Sequence, residues 1–402
     1  MRTIRIGEYF CGAGGMAAGA LSAGGALETV QSVWAVDADQ DACATYAANL
    51  HSGEPVLSEL PAEGYGRFVL NADVRTIDPT RLPDVDGFLF GFPCNDFSTA
   101  GESRGLSGRH GPLYREGVRV LKAKRPAFFV AENVGGILQT DDCEAFSTIV
   151  ADLSRPGDDL EYDVTPHLYR LEEFGLPQRR HRVMIVGVRS DVAGRIGGFL
   201  PPRPCGRLVS AGDALAGMDD DLPNHEAVRT SGQVLDRLGH IEPGRNVWDV
   251  NEHLPRHLRM KNSATRMSTM YKVLDPTRPA YTVVASSGGG MGMYHWNRRP
   301  TTNRERARLQ SFPDDFVFLG GASSVRRQIG MAVPPLAART VVGAVLDHLA
   351  GRPYDAVAPN LRDHVDPDFK ARRLEARAKA ARRREAAKSR SPVDHVESLQ
   401  AS

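Results

Sequence analysis

"TIRIGEYFCGAGGMAAGALSAGG", residues 3 to 25, leads from a strand-like segment through a glycine-rich turn into a helix. Glycines let the backbone turn tightly and approach a ligand closely, and the helix N-terminus that follows favours negative charge. Gly12 and Gly14 fit the dinucleotide pattern G-x-G-x-x-G, but Ala17 stands in its third place. Strand–turn–helix units of this kind are common, so the turn alone names no ligand. It does suggest what kind of sheet to look for downstream.

That sheet is legible through residue 190. "SVWAVD" reads as a second strand and "ADQDACATYAANL" as a helix with apolar residues at helical spacing. "VDGFLFGFP", "PAFFVAENV" and "HRVMIVGVR" are apolar, β-branched or aromatic runs of buried-strand length. Strands alternating with helices imply an α/β fold with a mostly parallel sheet covered on both faces. Asp37 ends the second strand, 23 residues beyond Gly14, where a carboxylate can accept both hydroxyls of a ribose. Asp73, in "NADVRTID", could close a third strand and take an adenine amino group, and either aspartate could equally be a helix cap or a surface charge.

The chain's 402 residues suit about two domains. No apolar run approaches the roughly 20 residues of a membrane span, and "MRTIRIGEYF" lacks the apolar core of a signal peptide. Five cysteines (Cys11, Cys43, Cys94, Cys143 and Cys205), with no C-x-x-C pair, argue against a disulfide framework or a structural zinc site. They argue for a reducing cytoplasm. The net charge of +1 is unevenly spread: residues 225–310 hold 14 Lys or Arg against 7 Asp or Glu, and residues 370–390 hold 10 against 2. An acidic body with two basic stretches suits a polyanion approached from particular sides.

Cys94 follows the strand "VDGFLF" at its carboxyl end, where ligands sit in open α/β sheets. "AENVGG" presents Glu132 at the same edge, and "PQRRHRV" brings Arg180 and Arg182, two residues apart and expected on one face of a strand. A thiol, a carboxyl and two guanidiniums beside a nucleoside pocket form a reactive constellation.

These segments resemble the DNA (cytosine-5) methyltransferases. "FCGAGG", "GFPCNDFS", "ENV", "QRRHR", "RPTTNRERARLQSFP" and "QIGMAVPP" stand in that family's order and approximate spacing, covering residues 5 to about 350. The resemblance implies a Rossmann-like methyltransferase domain with S-adenosylmethionine as methyl donor. Phe10 would stack near the adenine, with Gly12 and Gly14 in the turn. Asp37 would hold the ribose and Asp73 the adenine edge, with Val74, Pro93 and Leu113 in the pocket wall. Cys94, Glu132, Arg180 and Arg182 would carry catalysis, and double-stranded DNA would be the substrate.

The chemistry accounts for the residue types. Carbon 5 of cytosine is a poor nucleophile, so a thiolate from Cys94 must first add to carbon 6. Glu132 would then donate a proton or strong hydrogen bond to ring nitrogen 3, while Arg180 and Arg182 hold the base's carbonyl oxygen and the neighbouring backbone. The base must leave its stack, and the Gly-rich "STAGESRGLSGRHG" after Cys94 suits a loop that closes over DNA. Asn95 for glutamine and "EYF" for "DLF" keep this chemistry, whereas Met331 stands where asparagine is commonest in the family.

Catalytic motifs do not separate DNA from RNA, so an RNA cytosine-5 methyltransferase is the alternative. The long insert between "QRRHR" and "RPTTNRE" favours DNA. A nicotinamide oxidoreductase would leave Cys94, Glu132 and the arginines unexplained, and intact motifs argue against a catalytically dead relative. The expected architecture is a catalytic domain over residues 1–190, a target-recognition domain over 191–325 and a returning helix within 326–353. That helix begins at Pro334 or Pro335. A basic tail, residues 361–402, would be helical or disordered. A monomer, with a cognate restriction endonuclease as possible partner, completes the expectation.

Overall fold

The structure is a computed structural model that describes residues 2–25, 27–62, 66–93, 113–138, 144–260, 268–285 and 290–361. Cys94, the Gly-rich loop after it and the tail beyond residue 361 lie outside the described residues. In chain order the strands of the main sheet are β1 (Arg2–Tyr9), β2 (Glu28–Asp37), β3 (Val56–Leu57), β4 (Phe68–Asn71), β5 (Gly87–Gly91), β6 (Phe128–Val134), β7 (Tyr162–Arg170) and β8 (His181–Arg189). Among the described residues they form one eight-stranded sheet in the order β3-β4-β2-β1-β5-β6-β8-β7. β1 to β6 run parallel, and β8 is antiparallel to both β6 and β7.

The helices are α1 (Gly15–Ser22), α2 (Gln40–Leu50), α3 (Tyr114–Lys124), α4 (Glu144–Ser154), α5 (Ser190–Ile196), α6 (Ala211–Leu215), α7 (Gly232–Gly239), α8 (Val247–Val250), α9 (Asn303–Leu309), α10 (Ala322–Met331) and α11 (Pro335–Leu349). Strand alternation sends Phe88 and Phe90 to one face of the sheet, into a core with Tyr9, Trp34, Phe129 and the α3–α4 residues Leu121, Phe146 and Ile149. It sends Leu89 to the other face, among Ile6, Val130 and the α1 and α11 residues Met16, Ala20, Val341 and Val345. Burial of each large apolar side chain stabilises the fold by about 1.5–3 kcal/mol, so both faces hold the sheet.

The sequence reading missed β7. Its segment, "YDVTPHLYR", contains Pro166, which a central strand would exclude. β7 lies at the edge of the sheet and pairs only with β8, which makes the proline tolerable.

Helix α11 begins at Pro335, whose fixed backbone angle suits a first helical turn. It packs on α1 backbone to backbone: a Cβ at Gly19 would lie 2.2 Å from the Pro335 carbonyl oxygen and 2.6 Å from Ala338 Cβ. Residues 322–349 contain an 18-residue window with a mean hydropathy of 1.6, enough by length and composition alone for a membrane span. They form two helices broken before Pro335, and 67% of the apolar window is buried within the fold.

Residues 197–300 carry short elements, including a small antiparallel pair of β9 (Tyr294–His295) and β10 (Arg299–Pro300). Leu238, Ile241, Val247, Leu258, Tyr271 and Val273 make a separate small core there. The Tyr271 ring stacks on Tyr294 at 5.6 Å, and the Arg237 guanidinium lies 4.6 Å from the Tyr271 ring centre. This segment is tied to α9 by Arg304, which is buried and donates to the carbonyls of Pro223, Pro313 and Phe316 at 2.8, 2.9 and 2.6 Å.

Candidate active site

A cavity of about 320 Å3 opens at the carboxyl ends of the parallel strands. The turn after β1 builds its floor. Gly14 caps α1 at a φ of 88°, a left-handed conformation that glycine adopts without strain. It does not face the cavity; its hydrogen points at Leu50 and Tyr46, where a Cβ would come within 2.8 Å of both. Gly12 does line the cavity, and its amide donates to Asp37 Oδ2 at 2.8 Å. The Asp39 amide donates to Asp37 Oδ1, also at 2.8 Å. Burial pushes the Asp37 carboxyl above the usual carboxylate range, against the pull of those two amides.

Phe10, Asp73, Val74, Pro93 and Leu113 line the same cavity. Asp73 stands two residues beyond β4, the fourth strand rather than the third, and caps a short 3-10 turn. Arg75 folds back onto it, with Nε 3.0 Å from both carboxylate oxygens. This contact holds the Asp73 carboxyl below the usual range.

Glu132 lies at the end of β6, opposite Gly91 of β5, and also lines the cavity. Arg182 Nε reaches Glu132 Oε1 at 2.8 Å, with both side chains only 13% and 12% exposed. Topology makes this pair possible. Because β8 runs antiparallel to β6, its first residues lie beside the last residues of the parallel strands.

Arg180 goes elsewhere. It precedes β8, so strand alternation does not bind it to the face of Arg182, and the expectation that the two share a face is not met. Its guanidinium donates to the carbonyls of Val283, Gly330 and Ala332 at 3.0, 3.1 and 3.0 Å, and the residue is 2% exposed. Gln178 works beside it, donating to Leu309 O and Gln310 Oε1 and accepting from the Val283 amide. The "QRRHR" segment therefore both points Arg182 at Glu132 and pins the chain around residues 283–332 to the sheet.

The sequence reading did not assign Glu8, Asp39, Arg75, Arg327 or Gln328, all of which line the cavity. Arg327 Nη2 pairs with Asp39 Oδ2 at 2.6 Å across its rim. Met331 also sits at the rim, 67% exposed. One signal for Glu8 was available: an acid inside the otherwise apolar end of a strand, "RIGEYF".

A parallel sheet, a glycine turn, a ribose-suited aspartate and an acid–guanidinium pair at the strand ends define a Rossmann-like α/β methyltransferase. Residues 4–347 match the family model for the C-5 cytosine-specific DNA methylases, and the chain belongs to that family. It is a DNA (cytosine-5-)-methyltransferase. Similar proteins include the type II methyltransferase M.BbvI of Brevibacillus brevis, 43% identical over 88% of this chain and 94% of the relative. Another is the type II methyltransferase M.NgoFVII of Neisseria gonorrhoeae, 36% identical over 82% and 83%. In fold, the chain resembles the Schizosaccharomyces pombe Dnmt2 methyltransferase, with a TM-score of 0.54 and 16% identity over 87% of this chain and 98% of that one. The Entamoeba histolytica methyltransferase EhMeth gives a TM-score of 0.57 at 11% identity over 87% and 99%.

Proposed function

We propose that this enzyme methylates carbon 5 of a cytosine flipped out of a specific double-stranded DNA sequence, through a covalent Cys94 adduct. The observation that carries the reading is the Glu132–Arg182 pair on the wall of a cavity that Pro93 also lines, Cys94 being the next residue in the chain. The cavity fits S-adenosylmethionine: Asp37 offers two carboxylate oxygens for a ribose, and Phe10 and Leu113 give apolar walls for an adenine beside Asp73. Bound there, the cofactor supplies an electrophilic methyl group. Cys94 Sγ adds to carbon 6 of the cytosine, and Glu132 supports ring nitrogen 3 as electrons move onto it. Arg182 orients the Glu132 carboxyl and is placed to meet the base's carbonyl oxygen. Once carbon 5 carries the methyl group, its proton passes to a base or to solvent, the ring double bond re-forms, and the bond between carbon 6 and Cys94 Sγ breaks. Arg180 supports the same chemistry from behind by holding residues 283 and 330–332 in place.

In this reading, residues 1–190 with about 326–353 perform the chemistry and residues 191–325 select the target. DNA lies between them, because the Arg-rich segment 225–310 suits phosphates and guanine edges. The enzyme acts as a cytoplasmic monomer, alone or beside a restriction endonuclease for the same site. The test is Cys94→Ser with bisulfite sequencing of plasmid from expressing cells. Methylation should vanish, because a serine hydroxyl is almost wholly protonated near neutral pH. Wild type on DNA carrying 5-fluorocytosine should leave a denaturant-resistant protein–DNA band that Cys94→Ser cannot form. Methylation by Cys94→Ser near the wild-type rate would refute the mechanism.

A further inference from the structure

Glu8, at the position where the resembled family's "DLF" carries aspartate, stands in the cavity wall. It lies next to last in β1, is 2% exposed, and has Oε2 facing no hydrogen-bond partner among the described residues. The Ala17 amide of α1 and the Tyr46 hydroxyl of α2 approach the rest of its carboxyl. Tyr46 is itself held: its Oη is 2.8 Å from Ser32 Oγ, which lies 2.9 Å from His51 Nε2, and all three residues are buried. Burial first, and Arg67 second, push the His51 imidazole down to about 4, so no second cation offsets Glu8 at that end.

Charge around the cavity is lopsided. Five acids (Glu8, Asp37, Asp39, Asp73 and Glu132) line it against two arginines. Both arginines are taken, Arg75 by Asp73 and Arg327 by Asp39, and Glu132 has Arg182. Asp37 is satisfied by two backbone amides. Of these acids, Glu8 is the one with a fully buried carboxyl oxygen that meets no hydrogen-bond partner among the described residues. A buried carboxyl in that state demands either a proton or a cationic ligand.

We propose that Glu8, oriented by Tyr46, Ser32 and His51, is the residue with which the pocket distinguishes the sulfonium methyl donor from its neutral thioether product. The inference rests on the methyl-transfer reading above. Donor and product differ by one positive charge at sulfur, and Glu8 is the cavity acid with a fully buried carboxyl oxygen that meets no partner among the described residues. In the free protein burial holds the Glu8 carboxyl well above its ordinary range, with Asp37 adding to the effect and Tyr46 opposing it. Cys11 from the glycine turn and Tyr46 also face it, and burial pushes both upward, so neither ionises alongside it. When the sulfonium arrives, the Glu8 O–H bond breaks, its proton goes to solvent, and the carboxylate remains against the cation. After methyl transfer the sulfur is neutral, and Glu8 recovers a proton from solvent as the product leaves. The sign follows: the donor binds more tightly as pH rises through the carboxyl's titration in the free protein, and the product much less so.

Titration calorimetry on the full chain, with S-adenosylmethionine and S-adenosylhomocysteine in two buffers of different ionisation heat, counts the protons. The donor should release up to about one proton more than the product in wild type, which needs no variant to observe. Glu8→Gln should remove that excess and cut the donor-to-product affinity ratio about tenfold. Tyr46→Phe should bind both ligands with a smaller excess, an effect that a merely structural tyrosine would not produce. Equal proton counts for the two ligands in wild type, or a folded Glu8→Gln with an unchanged ratio, overturns the role of Glu8 and leaves methyl transfer standing. A wild type that binds neither ligand overturns both readings.

Discussion

Replacing Arg180 by methionine removes three charge-assisted hydrogen bonds at once while keeping much of the side chain's apolar volume. The carbonyls of Val283 and Gly330 lose this donor in a site that is 2% exposed, while Ala332 O keeps Gln310 Nε2 at 3.3 Å. Each bond to a charged group contributes about 1.5–3 kcal/mol, but the variant no longer has to bury a guanidinium, and that offsets part of the loss. The net cost should be about 3–5 kcal/mol, since each buried acceptor left without its donor costs about 1–3 kcal/mol. Thermal unfolding followed by circular dichroism should show Tm lower by about 4–6 °C. Arg182→Met gives the contrast. Arg182 bonds Glu132 and the His181 carbonyl at the cavity edge, so the variant should melt near wild type and lose about 10²–10³ in kcat. If Arg180→Met melts like wild type but loses activity as Arg182→Met does, Arg180 acts on the substrate and its role as a strut is wrong.

Gly19→Ala should destabilise the protein by about 1–3 kcal/mol, since the new Cβ would meet the Pro335 carbonyl oxygen at 2.2 Å and force α1 and α11 apart; an unchanged denaturation midpoint would count against that close contact. Arg352 joins Glu28 at the start of β2 to Asp347 of α11, and its hydrogen bonds hold the Glu28 carboxyl below the usual range. A depressed carboxyl contributes stability above its unfolded-state value and loses it as pH falls through the folded-state value. Arg352→Met should therefore cost about 1 kcal/mol or less at neutral pH and nothing in acid, because the arginine is 34% exposed; a pH-independent loss of Tm would contradict the linkage. Exchanging residues 205–285 for those of a relative with a different site should transfer the methylated sequence, each arginine that reads a guanine contributing about 1–3 kcal/mol of discrimination. An active chimera with the parental pattern would remove target choice from that segment.

The long buried strands were legible because a continuous apolar run between turn residues has few other readings. β5, β6 and β8 all fall within the runs read from the sequence. β7 was not legible, because an edge strand with one partner can carry polar residues and a proline that a central strand cannot. Among site residues, Asp37 and Glu132 could be placed from local pattern alone: Asp37 ends β2, Glu132 stands two residues before the end of β6, and strand ends in a parallel sheet converge. Arg180 could not be placed, since its direction depends on where β8 begins, a one-residue matter that apolar periodicity does not resolve.

Local periodicity, the glycine turn and the order of short motifs thus determined the fold class, the family and the edge of the sheet where ligands sit. Those properties are written in neighbouring residues, whose spacing alone sets which face a side chain takes. The tertiary structure decided the partnerships. Arg182 meets Glu132 only because an antiparallel strand lies beside β6, and Arg180 meets residues 150 positions away at Gly330. Glu8 reads in sequence as a mild variation in an apolar strand. It becomes a buried carboxyl whose Oε2 meets no partner among the described residues only when α1, α2 and β2 close around it, because desolvation and the supply of hydrogen-bond partners are set by the packed surroundings and not by sequence neighbours.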